Sequence, residues 1–122
     1  MEPEKSDVHT SATFLDTGLH PYLCKALSAC QFVHPTPIQY HSLRTYVSSP
    51  SNLICRSKSG TGKTAAYLSI ILNNLMTTSN EIENKTYTII LLPTRELAVQ
   101  VYQSLSQLLT SAQSLKVDSE NK

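Results

Sequence analysis

The chain has 122 residues, of which 40% are hydrophobic and 16% are charged, and its formal net charge is +1. This length suits one domain or part of one, and the composition is that of an ordinary folded chain. The near-neutral charge excludes the strongly basic profile of a dedicated nucleic-acid binder, so a nucleic-acid partner can be argued only from motifs.

Cysteine usage and hydropathy limit the compartment. Three cysteines without a CxxC pair make a disulfide framework unfavourable and favour a reducing compartment, either cytoplasm or nucleus. A zinc site from Cys24, Cys30, His34 and His41 is conceivable, but the spacing fits no standard pattern, so ordinary buried or surface roles are favoured. No apolar run approaches the roughly 18 residues that span a bilayer, so no membrane partner is expected.

The first part of the chain is predicted to be helical after a polar start. Residues 1–13 show no apolar periodicity and are expected to form a flexible tail. A helix is predicted over residues 20–30, where Pro21 suits the first turn and apolar residues share one face. Two prolines in His34–Pro37 force a turn, and a second short helix follows from Ile38 to about Val47.

The rest of the chain is predicted to alternate strands with helices. The apolar run Leu53–Cys55 predicts a buried strand, and a helix follows from about Lys63 to Met76. After a polar loop, Tyr87–Leu92 is the clearest strand, and another helix is predicted from Glu96 to about Leu109. This alternation predicts an α/β fold with a mainly parallel sheet, in which Leu115–Val117 begins the next strand.

The strongest motif is a glycine-containing loop between a predicted strand and a predicted helix. Gly60 and Gly62 allow the backbone N–H groups to approach phosphate oxygens, and the helix N-terminus adds partial positive charge. Lys63 is predicted to reach the β- and γ-phosphates, and Thr64 to offer its hydroxyl to Mg²⁺. The predicted phosphate-binding residues are Ser57, Lys58, Ser59, Gly60, Thr61, Gly62, Lys63 and Thr64. The alternative is a glycine turn with a chance Gly-Lys-Thr.

Two further stretches flank this loop. Upstream lies Phe32–Gln39, preceded by an isolated Phe14, and downstream lies Pro93–Gln100. With the loop, they resemble the ordered motifs of DEAD-box ATP-dependent RNA helicases. Three positions depart from the family pattern: Ser57 stands where alanine is usual, Ser59 where threonine is usual, and Gln31 where a glycine ends a helix, so that helix end is expected to differ.

The upstream stretch resembles the family's adenine-binding segment. The resemblance implies that Phe32 stacks on adenine, that His34 belongs to the nucleotide site, and that Gln39 binds the adenine edge. The chemistry of Gln39 agrees, because one amide accepts from adenine N6–H and donates to N7, whereas guanine presents an acceptor at O6. The alternative is a core phenylalanine and a surface glutamine.

The downstream stretch resembles a family segment that touches the RNA backbone. The resemblance assigns this contact to Pro93, Thr94, Arg95 and Glu96. Contacts of this kind go to phosphate and sugar, so they would be independent of RNA sequence. Arg95 could instead hold the loop through an ion pair or be an ordinary surface arginine.

The resemblance also implies a fold and a function. It implies an incomplete RecA-like P-loop NTPase domain over residues 14–122, truncated before the Asp-Glu-Ala-Asp motif, with catalytic Lys63 and Thr64. ATP or ADP, Mg²⁺, RNA and RNP proteins are the expected cofactors and partners, and the parent would be a helicase that unwinds RNA or remodels RNPs. This segment alone is expected to hydrolyse little ATP. The alternatives are a non-catalytic interaction fragment and a different P-loop NTPase, such as a kinase or GTPase.

Overall fold

The computed structural model of the chain describes residues 12–78 and 85–120, with side chains described as far as residue 115. A short 3-10 helix, Leu15–Thr17, precedes four α-helices: α1 (Pro21–Ala29), α2 (Pro37–Ser48), α3 (Lys63–Thr77) and α4 (Arg95–Glu120). The tail predicted over residues 1–13 falls almost entirely outside the described residues.

Side-chain caps and prolines set the starts of the first two helices. The His20 Nδ1 accepts from the Tyr22 N–H at 3.2 Å, and Pro21 is the first residue of α1. Thr36 and Gln39 form a reciprocal capping box at the start of α2, where Pro37 occupies the first turn. The helices predicted in these two regions, and the one predicted from Lys63, are confirmed.

The end of α1 depends on Gln31. Its φ of 69° lies in the left-handed region, which glycine enters without strain. The Phe32 N–H donates to the Leu27 carbonyl at 2.9 Å, and the Gln31 N–H donates to the Ser28 carbonyl at 3.0 Å. These two bonds make a Schellman closure, so Gln31 takes the conformation that a glycine would take at this helix end.

The helices enclose one small apolar core. Helix α1 packs mainly against α4, while α2 packs against α3 and the short 3-10 helix. The core consists of buried side chains from all four α-helices and from the residues that flank the 3-10 helix: Phe14, Leu19, Leu23, Leu27, Leu43, Leu68, Leu72, Val101 and Leu108. This packing holds the turn before α2 and the loop before α3 in fixed positions on one side of the molecule.

The predicted parallel sheet is wrong: residues 12–78 and 85–120 contain no strand. The two apolar runs lie outside the helices and largely in solvent, with Ile54 94%, Ile89 77% and Leu91 90% exposed. A strand requires a hydrogen-bonded neighbour, and a parallel strand also needs cover on both faces. Neither requirement is met among the described residues, because neither run has a neighbouring strand and only Ile90 and Leu92 of the second run pack against the helical core.

The last helix is longer than predicted. Helix α4 continues past Leu109 to Glu120, so Leu115–Val117, predicted to begin a strand, is helical. The sequence after Leu109 contains neither glycine nor proline to stop the helix, and alanine, glutamine and leucine favour its continuation. Although α4 has 26 residues, no helix in the described part of the chain is long and apolar enough to cross a membrane.

Candidate nucleotide site

The loop Ser57–Thr64 leads directly into the N-terminus of α3, as predicted. Gly60 and Gly62 have φ values of 80° and 88°, so both positions use the left-handed region. A side chain at Gly60 would meet nothing within 4 Å, which leaves an open backbone surface there. The first N–H groups of α3 have no partner within the helix, so they are available to an anion at this end.

Hydrogen bonds within the loop hold it in a closed shape. The Lys63 Nζ donates to the Ser57 carbonyl at 2.7 Å, which places the ammonium inside the loop rather than in solvent. The hydroxyls of Ser57 and Thr61 bond to each other, and the Thr61 hydroxyl also donates to the Lys58 carbonyl at 2.7 Å. The lysine predicted to grip phosphate therefore bonds to the loop's own backbone in this state.

The turn before α2 is joined to this loop across more than twenty residues of sequence. The Thr36 hydroxyl donates to the Thr61 carbonyl at 2.7 Å, and the Gln39 Nε2 donates to the Gly62 carbonyl at 3.1 Å. A Cβ added to Gly62 would lie 2.1 Å from the Gln39 Nε2, so the close approach requires glycine there. Thr36 was not predicted as a site residue, although the capping pattern Thr-x-x-Gln marks it in the sequence.

Gln39 is buried, with only 2% of its surface exposed. Its Oε1 accepts from the Thr36 N–H at 2.9 Å while its Nε2 binds the Gly62 carbonyl. One amide hydrogen and one lone pair remain, which is the pair an adenine edge would need. They do not face open solvent, so recognition of adenine by Gln39 stays a prediction that requires a local movement.

Phe32 and His34 are less closely tied to the loop. Phe32 is 37% exposed and lines a cleft of about 290 Å³ together with Phe14, Pro21, Cys24 and Val33. The exposed His34 ring has its Nδ1 3.2 Å from the Ala12 carbonyl. No hydrogen bond described in the structure connects either residue to Ser57–Thr64.

Burial raises the pKa of the Cys24 thiol, which also lies beside this cleft. The Cys24 Sγ is 3.7 Å from the Leu19 carbonyl, toward which it donates. A raised pKa lowers the thiolate fraction of Cys24 and so lowers its reactivity.

The remaining loop side chains fit a polyphosphate. Lys58 and Ser59 are exposed, and the hydroxyls of Ser59 and Thr64 have no hydrogen-bond partner among the residues whose side chains are described. Backbone N–H groups, one ammonium and a free hydroxyl at a helix start are the donors that phosphate oxygens and a phosphate-bound cation require. The residues present therefore fit ATP with Mg²⁺.

The family model for DEAD/DEAH box helicase matches residues 36–122. The chain belongs to the DEAD/DEAH box helicase family. The matched region contains Thr36, Gln39 and the whole of Ser57–Thr64, whereas Phe14, Phe32 and His34 lie before it.

Individual relatives agree with this membership. The chain is 43% identical over 89 residues to an ATP-dependent RNA helicase dbp5 of Aspergillus niger, covering 72% of the chain and 18% of that relative. It is 37% identical over 110 residues to DEAD-box ATP-dependent RNA helicase 17 of Oryza sativa subsp. japonica, covering 88% and 18%. It is 37% identical over 103 residues to an ATP-dependent RNA helicase ddx19 of Dictyostelium discoideum, covering 84% and 21%. The chain thus spans about a fifth of each relative.

The segment Pro93–Glu96 is exposed at the start of α4. The Thr94 hydroxyl accepts from the Leu97 N–H at 3.1 Å and so caps the helix. Arg95 has no ion pair with any residue whose side chain is described, so the structure does not favour the ion-pair interpretation. No described hydrogen bond links this segment to the phosphate loop.

Proposed function

We propose that this chain is the ATP-binding part of an ATP-dependent RNA helicase. In the whole protein, ATP binding and hydrolysis would be coupled to unwinding of RNA duplexes or remodelling of RNPs. The observation that carries the proposal is the loop Ser57–Thr64, with Lys63 inside it, at the N-terminus of α3. Membership of the DEAD/DEAH box helicase family supports this proposal and argues against the kinase or GTPase alternative.

Nucleotide binding would exchange bonds within the loop for bonds to phosphate. The Lys63 ammonium would leave the Ser57 carbonyl for the β- and γ-phosphate oxygens, while loop N–H groups from Gly60 to Thr64 bind the same oxygens. The Thr64 hydroxyl would hold Mg²⁺, which neutralises charge on the phosphates. Phe32 and Gln39 would contact the adenine, and His34 would lie near it.

We propose that residues 14–122 constitute a partial ATP-binding domain that binds ATP or ADP with little turnover. The sequence contains no Asp-Glu-x-Asp motif to complete the Mg²⁺ site and activate the attacking water. Turnover in the whole protein would use residues supplied elsewhere together with Lys63 and Thr64.

Three free cysteines in the described residues are compatible with a reducing compartment, cytoplasm or nucleus.

RNA is the proposed polymer partner. Pro93, Thr94, Arg95 and Glu96 are exposed at a helix start, where N–H groups and one guanidinium can meet a phosphate. Such contacts position the RNA backbone without reading its bases. RNP proteins are further proposed partners of the whole helicase.

A binding titration with fluorescent ATP and GTP tests the function. We expect saturable, Mg²⁺-dependent binding that prefers ATP and that weakens by about tenfold or more in Lys63→Ala, because a charge-assisted contact contributes roughly 1.5–3 kcal/mol. Lys85→Ala, at an exposed position outside the loop and the cleft, is the matched control and should leave binding unchanged. Equal binding of wild type and Lys63→Ala would contradict the proposal.

One observation favours the second candidate, a non-catalytic interaction fragment. Gln39 and Lys63 are both committed to the loop's own carbonyls, so the site is closed in this state. If the fragment has no nucleotide function, the closed loop should show no response to millimolar Mg²⁺–ATP in the same titration. A specific, saturable response would exclude this candidate as the sole function.

A further inference from the structure

Thr61 is the point at which three hydrogen bonds meet. Its carbonyl accepts from the Thr36 hydroxyl, and its own hydroxyl donates to the Lys58 carbonyl. A hydroxyl has one hydrogen, so the bond between the two side chains must run from the Ser57 hydroxyl to the Thr61 oxygen. We call these two consecutive hydrogen bonds, from the Ser57 hydroxyl to the Thr61 hydroxyl and from there to the Lys58 carbonyl, the loop latch.

Ser57 is held at two atoms at once. Its hydroxyl belongs to the loop latch, and its carbonyl accepts from the Lys63 ammonium at 2.7 Å. Movement of Ser57 would free Lys63, and movement of Lys63 toward phosphate requires it to leave Ser57. An alanine at this position, the usual residue in the family pattern, would have no hydroxyl with which to form the latch.

We propose that Ser57 is a positioning residue whose hydroxyl, through Thr61, holds the phosphate loop closed and slows the entry of phosphate. The effect on phosphate entry rests on the proposed nucleotide function, whereas the latch itself is a property of the chain without nucleotide. Opening must break the bond from Ser57 to Thr61 before or while Lys63 turns to a ligand. Removing that hydroxyl therefore favours the open loop.

Amide hydrogen exchange of the free chain, followed over residues 57–66, tests the latch without any ligand, because the Ala66 N–H donates to the Gly62 carbonyl of the loop and is protected while the loop stays in place. Ser57→Ala should accelerate exchange in this segment by about two- to tenfold, the range for loss of one net hydrogen bond, and Thr61→Val, which removes two bonds, should accelerate it at least as much. Thr61→Ser keeps the hydroxyl and should exchange like the wild type. The double variant should exchange no faster than Thr61→Val alone, because both changes remove the same bond.

Ser114→Ala is the matched control, since the Ser114 hydroxyl bonds to the Thr110 carbonyl on α4 and has no described contact with the loop. It should leave exchange over residues 57–66 unchanged. Identical exchange in wild type, Ser57→Ala and Thr61→Val would overturn the latch. Additive acceleration in the double variant would also overturn it, because the two hydroxyls would then act separately. Circular dichroism of each variant separates loss of the latch from loss of the fold.

The rate of nucleotide entry gives a second readout. In stopped-flow mixing with a fluorescent ATP analogue, Ser57→Ala should associate about two- to tenfold faster than wild type, with Thr61→Ser unchanged. Binding at equal rates in all variants would refute the role of the latch in entry while leaving the proposed function intact. Absence of binding in every variant would refute the proposed function, and hydrogen exchange would still decide whether the latch exists.

Discussion

Replacing each of the two loop glycines by alanine distinguishes the cost of a strained backbone from the cost of a side chain that would collide with Gln39. Both Gly60 and Gly62 have positive φ, so alanine at either should cost roughly 1–2 kcal/mol of left-handed strain. Reduced freedom of the unfolded chain returns about 0.4–1 kcal/mol in both cases. A new Cβ meets nothing at Gly60, whereas at Gly62 it would lie 2.1 Å from the Gln39 Nε2.

The alanine at Gly62 must therefore displace a buried side chain. Loss of the bond from Gln39 to the Gly62 carbonyl should remove about 0.5–1.5 kcal/mol, and the overpacking should add about 1–3 kcal/mol. We expect the free energy of unfolding to fall by about 1 kcal/mol in Gly60→Ala and by about 3 kcal/mol in Gly62→Ala.

Equilibrium urea denaturation of both variants and the wild type provides the measurement. A difference of about 2 kcal/mol corresponds to a midpoint roughly 1 M lower for Gly62→Ala than for Gly60→Ala. Equal losses in the two variants would refute the reasoning, because the packing of Gln39 against Gly62 would then contribute nothing to stability.

Three other predictions follow from local geometry. Gln31→Gly should stabilise the chain by about 1 kcal/mol, because glycine adopts the left-handed conformation at the end of α1 without strain. Gln103→Gly, inside α4, should destabilise the chain by about the same amount. Thermal unfolding measures both, and a destabilised Gln31→Gly would contradict the Schellman closure. Cys55 should react with iodoacetamide at pH 7 well before Cys24, since Cys55 is exposed while burial raises the pKa of Cys24. Peptide mass spectrometry identifies the modified site, and faster labelling of Cys24 would contradict its burial. Arg95→Ala should weaken binding of single-stranded RNA equally for different sequences, and the salt dependence of binding should fall by about one phosphate contact. Arg44→Ala, on α2, should leave RNA binding unchanged. A loss of binding confined to one RNA sequence would refute contact with the RNA backbone.

The helices were predictable because their signals are local. Pro21, Pro37 and the Thr-x-x-Gln pattern mark helix starts, and apolar periodicity places Leu23 and Leu27 in the core. The phosphate loop could be placed for the same reason, since Gly60 and Gly62 occur where only glycine fits the backbone well.

The sheet was wrongly predicted because strand formation is not local. Leu53–Cys55 and Tyr87–Leu92 have strand-like composition, but composition cannot supply the neighbouring strand that each needs. The end of α4 is hard to predict for a related reason, because Leu115–Val117 has a short β-like composition although no glycine or proline follows Leu109 to stop the helix.

The contacts of the candidate site could not be predicted from the sequence. Gln39 lies against the loop Ser57–Thr64, but the sequence does not indicate that Gln39 is buried against Gly62 or that Thr36 bonds to Thr61. Such bonds depend on how α2 packs beside α3, which a motif does not encode.

Nuclear magnetic resonance of the ¹⁵N-labelled chain during a titration with Mg²⁺–ATP tests the central claim most directly. Phosphate binding to the loop N–H groups predicts the largest shifts at the amides from Gly60 to Thr64, with Gln39 responding and Ser114 unmoved. Loop amides that stay in place at saturating nucleotide, or shifts that appear only on α4, would contradict the account.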